Sequence, residues 1–396
     1  MILADPLPRE LDPPMRRRSL AAAIGSITVV GIAIGLGMPL LSVILESRGH
    51  SATMIGLNTA AAGLASIVAA PMATPLAARF GVVQTLLAMM LIGALSFIGF
   101  YVAEDFWLWF PLRGTLHIAL TIVFILSEFW INVSAPPAKR GLVLGIYATM
   151  LSLGFAFGPW LFAQIGSEGF LPFGVAFCLV LGGMIPVIAA WRESPVIGER
   201  QAGNVGFIRY IWLVPTATAA VLVFGAVETG GFALFPIYGT RVGYSEADAA
   251  ILLSMIGLGN VLFQVPLGMV SDRIRDRRWV LVGCAIVGLA GMLAMPALAS
   301  SWALTAVLLF FWGGAVAALY TVGLAHLGSQ LSGRDLASAN SAFVFCYAVG
   351  MLVGPQAIGV GLDIFGPPGF AWSIAMFFVA YLVLVAARLA RDRSRS

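Results

Sequence analysis

Five ionisable side chains lie inside otherwise apolar runs of this 396-residue chain: Arg113, His117, Glu128, Glu228 and His326. A charge in hydrocarbon costs on the order of 3 kcal/mol unless paired or hydrated, so each marks a candidate binding or proton-handling position. Glu228 falls near the middle of its run and is followed by Thr229, Gly230 and Gly231, which let a helix bend. A carboxyl group there suits proton coupling or substrate binding; its structural alternative is a hydrogen bond locked between helices. Arg113 and His117 are four apart and share one helix face. Arg113 suits an anionic group or the tuning of a carboxylate, and its structural alternative is a clamp onto backbone carbonyls. Glu128 lies about 22 Å beyond Arg113 at ~1.5 Å per helical residue, so the two do not pair directly. Glu128 therefore belongs near the mouth of the bundle, with Arg140 or another loop arginine as a partner. His117 and His326 are either proton relays or packing histidines.

Other chemistries are excluded. The single lysine, Lys139, is followed by Arg140, so no Gly-Lys-Ser/Thr phosphate loop exists and energy must come from outside the chain. Cys178, Cys284 and Cys346 scatter, as do His50, His117 and His326, so neither a disulfide framework nor a metal site is expected. With no nucleophile–base pair either, we expect neither an enzyme nor a cofactor. The pI near 9.2 reflects arginines that fix topology rather than a nucleic-acid partner.

The elements that must position these residues are membrane spans. The chain is 60% hydrophobic and 10% charged, with a mean hydropathy of +0.98, which excludes a soluble fold. Apolar runs fall at roughly 20–45, 52–76, 82–103, 108–133, 141–165, 169–191, 208–239, 246–270, 279–298, 302–329, 336–361 and 367–387, which predicts twelve helices of about 20 residues or more. The first follows Arg16, Arg17 and Arg18 but is too long for a signal peptide. With the N-terminus inside, all 22 basic residues except Arg48, Arg241 and Arg113 fall in cytoplasmic segments, leaving 19 on one side. That bias predicts an even number of spans, both termini cytoplasmic, in an inner membrane.

The chain repeats. Gly154-Phe-Ala-Phe-Gly158-Pro159 returns as Gly350-Met-Leu-Val-Gly354-Pro355; Arg79 and Arg273 are 194 apart, as are Gly49-x-Ser51 and Gly243-x-Ser245. Two homologous six-helix halves follow, 19–191 and 207–388, with a cytoplasmic tail over 1–18, a polar linker over 192–206 and a second tail over 389–396. The fold class expected is an all-α integral membrane protein, twelve transmembrane helices in two pseudo-symmetric six-helix bundles. The Gly–Pro positions are structural, since small residues allow close approach and proline permits a bend.

Gly268-Met-Val-Ser-Asp272-Arg273, followed by Arg275, Arg277 and Arg278, resembles the cytoplasmic loop signature of the major facilitator superfamily, Gly-x-x-x-Asp-Arg with trailing basic residues. The first half carries a degraded copy ending Ala78-Arg79-Phe-Gly81. Gly154 to Pro159 looks like the front of the superfamily's antiporter signature, with Phe162 and Ala163 where further glycines are usual. Arg113 falls where the superfamily's fourth-span arginine is expected, with Leu116 and His117 in place of the usual glutamine and glycine. Ser127-Glu128-Phe-Trp130-Ile-Asn132, Arg140-Gly141 to Tyr147, Gly313-Gly314 to His326 and Tyr347 to Gly350 are similar to YcaD-type bacterial transporters. The resemblance implies the major facilitator fold and an alternating-access cycle in which Asp272 and Arg273 either stabilise one facing state or form a solvated topogenic charge cluster; Asn58, Asn260, Gln264, Tyr320, Asn340 and Tyr347, on helices that would face the centre of that fold, are either cavity-lining hydrogen bonders or inter-helix packing residues.

The function expected is a secondary active transporter, monomeric among membrane lipids, moving a small organic solute by proton-coupled efflux. The alternatives are proton-coupled uptake of an anionic metabolite recognised by Arg113, and a non-transporting membrane sensor or assembly factor.

Overall fold

Glycine and serine set the helix ends, and do so twice with the same hydrogen bonds. At the first turn Gly49 N–H donates to Glu46 O and His50 N–H to Leu45 O; 194 residues later Gly243 N–H donates to Thr240 O and Tyr244 N–H to Gly239 O. Both glycines have positive φ, +85° and +101°, which closes a helix in the left-handed region. Ser51 and Ser245 then start the next helices, their hydroxyls accepting from Met54 N–H and Asp248 N–H.

The computed structural model describes residues 13–136, 139–195, 208–331 and 333–393. Of the expected tails and linker, 1–12, 196–206 and 394–396 lie outside them. The helices are α1 (Pro13–Ser47), α2 (Ala52–Phe80), α3 (Val82–Val102), α4 (Trp109–Ser134), α5 (Arg140–Ile165), α6 (Leu171–Gly182), α7 (Met184–Ala189), α8 (Ile208–Leu213), α9 (Pro215–Arg241), α10 (Glu246–Arg273), α11 (Arg278–Leu298), α12 (Trp302–Gln330), α13 (Gly333–Phe365) and α14 (Pro368–Arg393). Twelve spans among the described residues are long and apolar enough to cross a membrane, α6 and α7 together forming one. The protein is an all-α multi-pass membrane protein.

Two expected runs are broken. The seventh, expected from 208, splits at Val214 (φ −123°, ψ 55°), because Pro215 crowds a helical residue before it. The short α8 is tied back instead, the Tyr210 hydroxyl donating to the Asp335 carboxylate at the start of α13. The sixth breaks at Gly183, where Gly182 offers little helix propensity and Pro186 cannot donate to its carbonyl.

The repeated glycines are contact points. A Cβ on Gly158 would lie 2.5 Å from the Gly35 backbone, and one on Gly354 2.2 Å from Ala226 O. Thus α5 stacks on α1 as α13 stacks on α9. The first six spans meet the last six along two seams. In one, α2 packs on α13, where a Gly56 Cβ would be 2.3 Å from Pro355 O; in the other, α5 packs on α10, with Gly257 against Ala156 at 2.7 Å.

Candidate functional site

Glu228 sits halfway along α9, half-buried, and its Oε2 accepts a 2.6 Å hydrogen bond from the Tyr347 hydroxyl of α13. Pairing across two helices fixes the carboxyl, while the neighbouring helices leave a pocket beside it. That pocket is small, with ≈ 30 Å³ of room for water-sized molecules, and Glu228 shares it with Asn260 of α10, Phe224 and Phe232 of α9, Phe155 of α5 and Trp312 of α12. The Asn260 Oδ1 is buried with no hydrogen-bond partner among the described residues. Polar groups lining the pocket are therefore a carboxylate and an amide, set in aromatic walls from both halves. Phe155 meets Phe232 edge-on across the seam at 5.4 Å.

Tyr320 of α12 extends this constellation toward the end of the bundle that carries the termini. Its ring packs against Phe224, Phe343 and Tyr347, and it lies within electrostatic reach of both Glu228 and Glu128. Glu128 of α4 is exposed and also lies within electrostatic reach of Tyr147 of α5, whose hydroxyl is 2.9 Å from Ser127 Oγ. The Arg140 side chain expected as its partner lies outside the described residues. Tyr320 thus lies within electrostatic reach of a carboxyl group from each half.

Arg113 is elsewhere. It lies four residues into α4 at the opposite end, fully buried, its Nε donating to Asn58 Oδ1 of α2 at 2.9 Å. Its Nη1 and Nη2 and the Asn58 Nδ2 find no hydrogen-bond partner among the described residues, and His117, also buried, is within electrostatic reach. Asn58, expected to line a cavity, is 0% exposed and holds Arg113 instead. None of Arg113, His117 and Asn58 lines the Glu228 pocket.

Charged groups also join the halves. Arg241, at the end of α9, reaches Glu46 of α1 at 3.4 Å and Asp363 of α13 at 3.6 Å, and donates to Leu362 O. Asp363 accepts from Ala52 N–H and Thr53 N–H at the start of α2, at 3.2 and 2.8 Å. Across the other seam the Ser167 hydroxyl donates to Glu246 at the start of α10. Hydrogen bonds and ion pairs joining the halves gather at the end remote from the termini. Sequence inspection missed this network, although Arg241 was one of three arginines outside the cytoplasmic segments.

The loop signature is rearranged. Asp272 pairs with Arg277 at 2.9 Å rather than with Arg273, which is exposed; Arg277 also donates to Ser271 Oγ and to Ala325 O of α12, latching the loop to that helix. A Cβ on Gly268 would meet open space. Arg79 is exposed over the Phe80 ring. His326 joins this end of the molecule, its Nε2 3.1 Å from Gln330 Nε2, about 14 Å along α12 from Ala317 of the Glu228 pocket at ~1.5 Å per residue. Gln264 is half-buried one turn beyond Asn260, and Asn340 is exposed on α13. Of the residues expected to act together, the structure unites Glu228, Asn260, Tyr320 and Tyr347, with Glu128 in reach, and sets Arg113, His117, Asn58 and His326 apart.

A family model described as Major Facilitator Superfamily matches residues 23–260 and 216–396. YfkF of Bacillus subtilis (strain 168), an uncharacterized MFS-type transporter, is 26% identical over 341 residues, 84% of this chain and 86% of that protein. YcaD of Salmonella newport (strain SL254), likewise an uncharacterized MFS-type transporter, is 23% identical over 281 residues, 70% and 72% of the two chains. Among solved structures, a bacterial homolog of the human lysosomal transporter Spinster, inward-facing and occupied, superposes with a TM-score of 0.72 at 17% identity over 95% of this chain and 96% of that one. The nucleoside transporter NupG gives 0.72 at 12% identity over 95% and 98%.

Proposed function

This chain is a member of the Major Facilitator Superfamily and a secondary transporter of a small molecule, not an enzyme; from that premise we propose that it exports an apolar organic solute by proton-coupled alternating access, with Glu228 as the coupling carboxyl. The observation that carries this is the pairing of Glu228 with Tyr347 inside a pocket otherwise walled by Phe155, Phe224, Phe232 and Trp312. Protonation there removes a charge from an aromatic chamber, and deprotonation restores it, so the affinity of the chamber for a solute changes with proton occupancy. Phe155 comes from the first half and the other lining residues from the second, so rocking one half against the other moves the Phe155 wall of the chamber. In the conformation described here the Glu46–Arg241–Asp363 network closes the remote end. Protons and solute then enter from the end bearing the termini, past Glu128.

We assign that end to the cytoplasm and the protein to an inner membrane, on the 19 basic residues gathered there. Export is favoured over uptake of an anion because Arg113 is fully buried and does not line the pocket. Direction is tested in membrane vesicles: energised inside-out vesicles are expected to accumulate the solute and right-side-out vesicles to exclude it. The reverse pattern would establish uptake.

A further inference from the structure

A second pocket, remote from Glu228, opens at the end bearing the termini, between the α10–α11 loop and the last turn of α12. It measures ≈ 730 Å³ and is lined by Arg275, Asp276, Arg277, Arg278, Trp279 and His326, with Ser329 and Gln330 at its floor. Three guanidinium groups line it; Asp276 and, behind Arg277, Asp272 offset two of them, which leaves an excess of one positive charge, that of Arg275. The basic walls are built rather than adventitious. Arg277 is fixed by Ser271, Asp272 and Ala325 O; Arg278 is held through Nε by both oxygens of Asp276, at 3.1 Å each. Arg275 stands exposed on the rim.

An exposed apolar face of α11 adjoins the pocket. Trp279 is 54% exposed beside it at the start of α11, and Ile286 (51%) and Leu293 (59%) follow at seven-residue intervals, so one exposed apolar stripe runs from the pocket along the helix. A tryptophan at a span end marks the headgroup level, and basic pockets between spans at that level suit phosphate-bearing headgroups. We propose that this pocket binds an acidic phospholipid, the phosphate meeting Arg275, Arg278 and His326 and an acyl chain lying along Trp279, Ile286 and Leu293. A bound lipid would bridge the α10–α11 loop to α12, the same two elements that Arg277 joins, and so stabilise the loop in this conformation.

Equilibrium binding of radiolabelled dioleoyl-phosphatidylglycerol to the detergent-purified full-length protein tests this, with dioleoyl-phosphatidylcholine as the zwitterionic control. We expect phosphatidylglycerol to bind at least about tenfold more tightly at low salt, with the preference collapsing near 1 M salt, where the Debye length is about 3 Å. Arg275→Gln, at an exposed position that leaves folding intact, is expected to weaken phosphatidylglycerol about fivefold, and Arg275→Lys to restore most of the loss. Equal affinity for the two lipids, or an unchanged affinity in Arg275→Gln, overturns the proposal. Inorganic phosphate and glycerol phosphate form the second arm: if either binds as tightly as phosphatidylglycerol, the site takes a soluble phosphate compound and the lipid assignment fails.

Discussion

Tyr347 is the residue through which Glu228 is best probed without touching the carboxyl itself. Its hydroxyl donates a short hydrogen bond to the carboxylate, a kind of contact worth about 1.5–3 kcal/mol. Tyr347→Phe keeps the ring packing and removes that donor, so the pH midpoint of transport is expected to move upward as the charged carboxylate loses a partner. An unchanged midpoint would mean the hydroxyl does not act on the titrating group. At Arg113, Asn58→Leu removes the hydrogen bond to a fully buried guanidinium, and a drop in stability of at least about 1–3 kcal/mol is expected in a thermal unfolding assay. These residues were partly legible in sequence. Glu228, Asn260, Tyr320 and Tyr347 announce themselves as polar groups in apolar runs; their meeting does not, because Tyr347 and Glu228 lie 119 residues apart. The aromatic walls stayed invisible, since Phe155 or Trp312 in an apolar run looks the same whether it faces lipid or a pocket.

Helix-on-helix contact at glycine is the organising device at the next scale. Gly354→Val is expected to fail to fold or to lose stability, by at least about 1–3 kcal/mol, because its Cβ alone would lie 2.2 Å from Ala226 O. Gly268→Ala is the counterpart, with open space around its Cβ and an expected change within about 0.5 kcal/mol. Both are read from thermal unfolding of the purified protein. Span positions and the 194-residue repeat were readable, since lipid demands long apolar helices and each turn needs its glycine and serine. The break before Pro215 was not singled out, because the apolar run continues across it and periodicity ignores a missing N–H.

The whole molecule is closed at one end by side chains near span termini, where sequence inspection treats charges as solvated by default. Glu46, Arg241 and Asp363 are each about a quarter exposed, so their pairing is worth little in isolation, yet it spans both halves. Arg241→Gln is expected to raise the population open at the remote end a few-fold. With the exposed Cys178 replaced, a Ser42→Cys reporter, buried here, would then react faster with a membrane-impermeant maleimide. An unaltered rate would leave the network without influence on the equilibrium between the two facing states. The proposed mechanism gives the central role to Glu228, and proton movement tests it most directly. Proteoliposomes containing a pH-sensitive dye, challenged with a panel of apolar solutes, should show solute-driven proton flux for wild type, partial flux for Glu228→Asp and none for Glu228→Gln. Solute-driven proton flux of wild-type size in Glu228→Gln would contradict the assignment of this carboxyl as the coupling group.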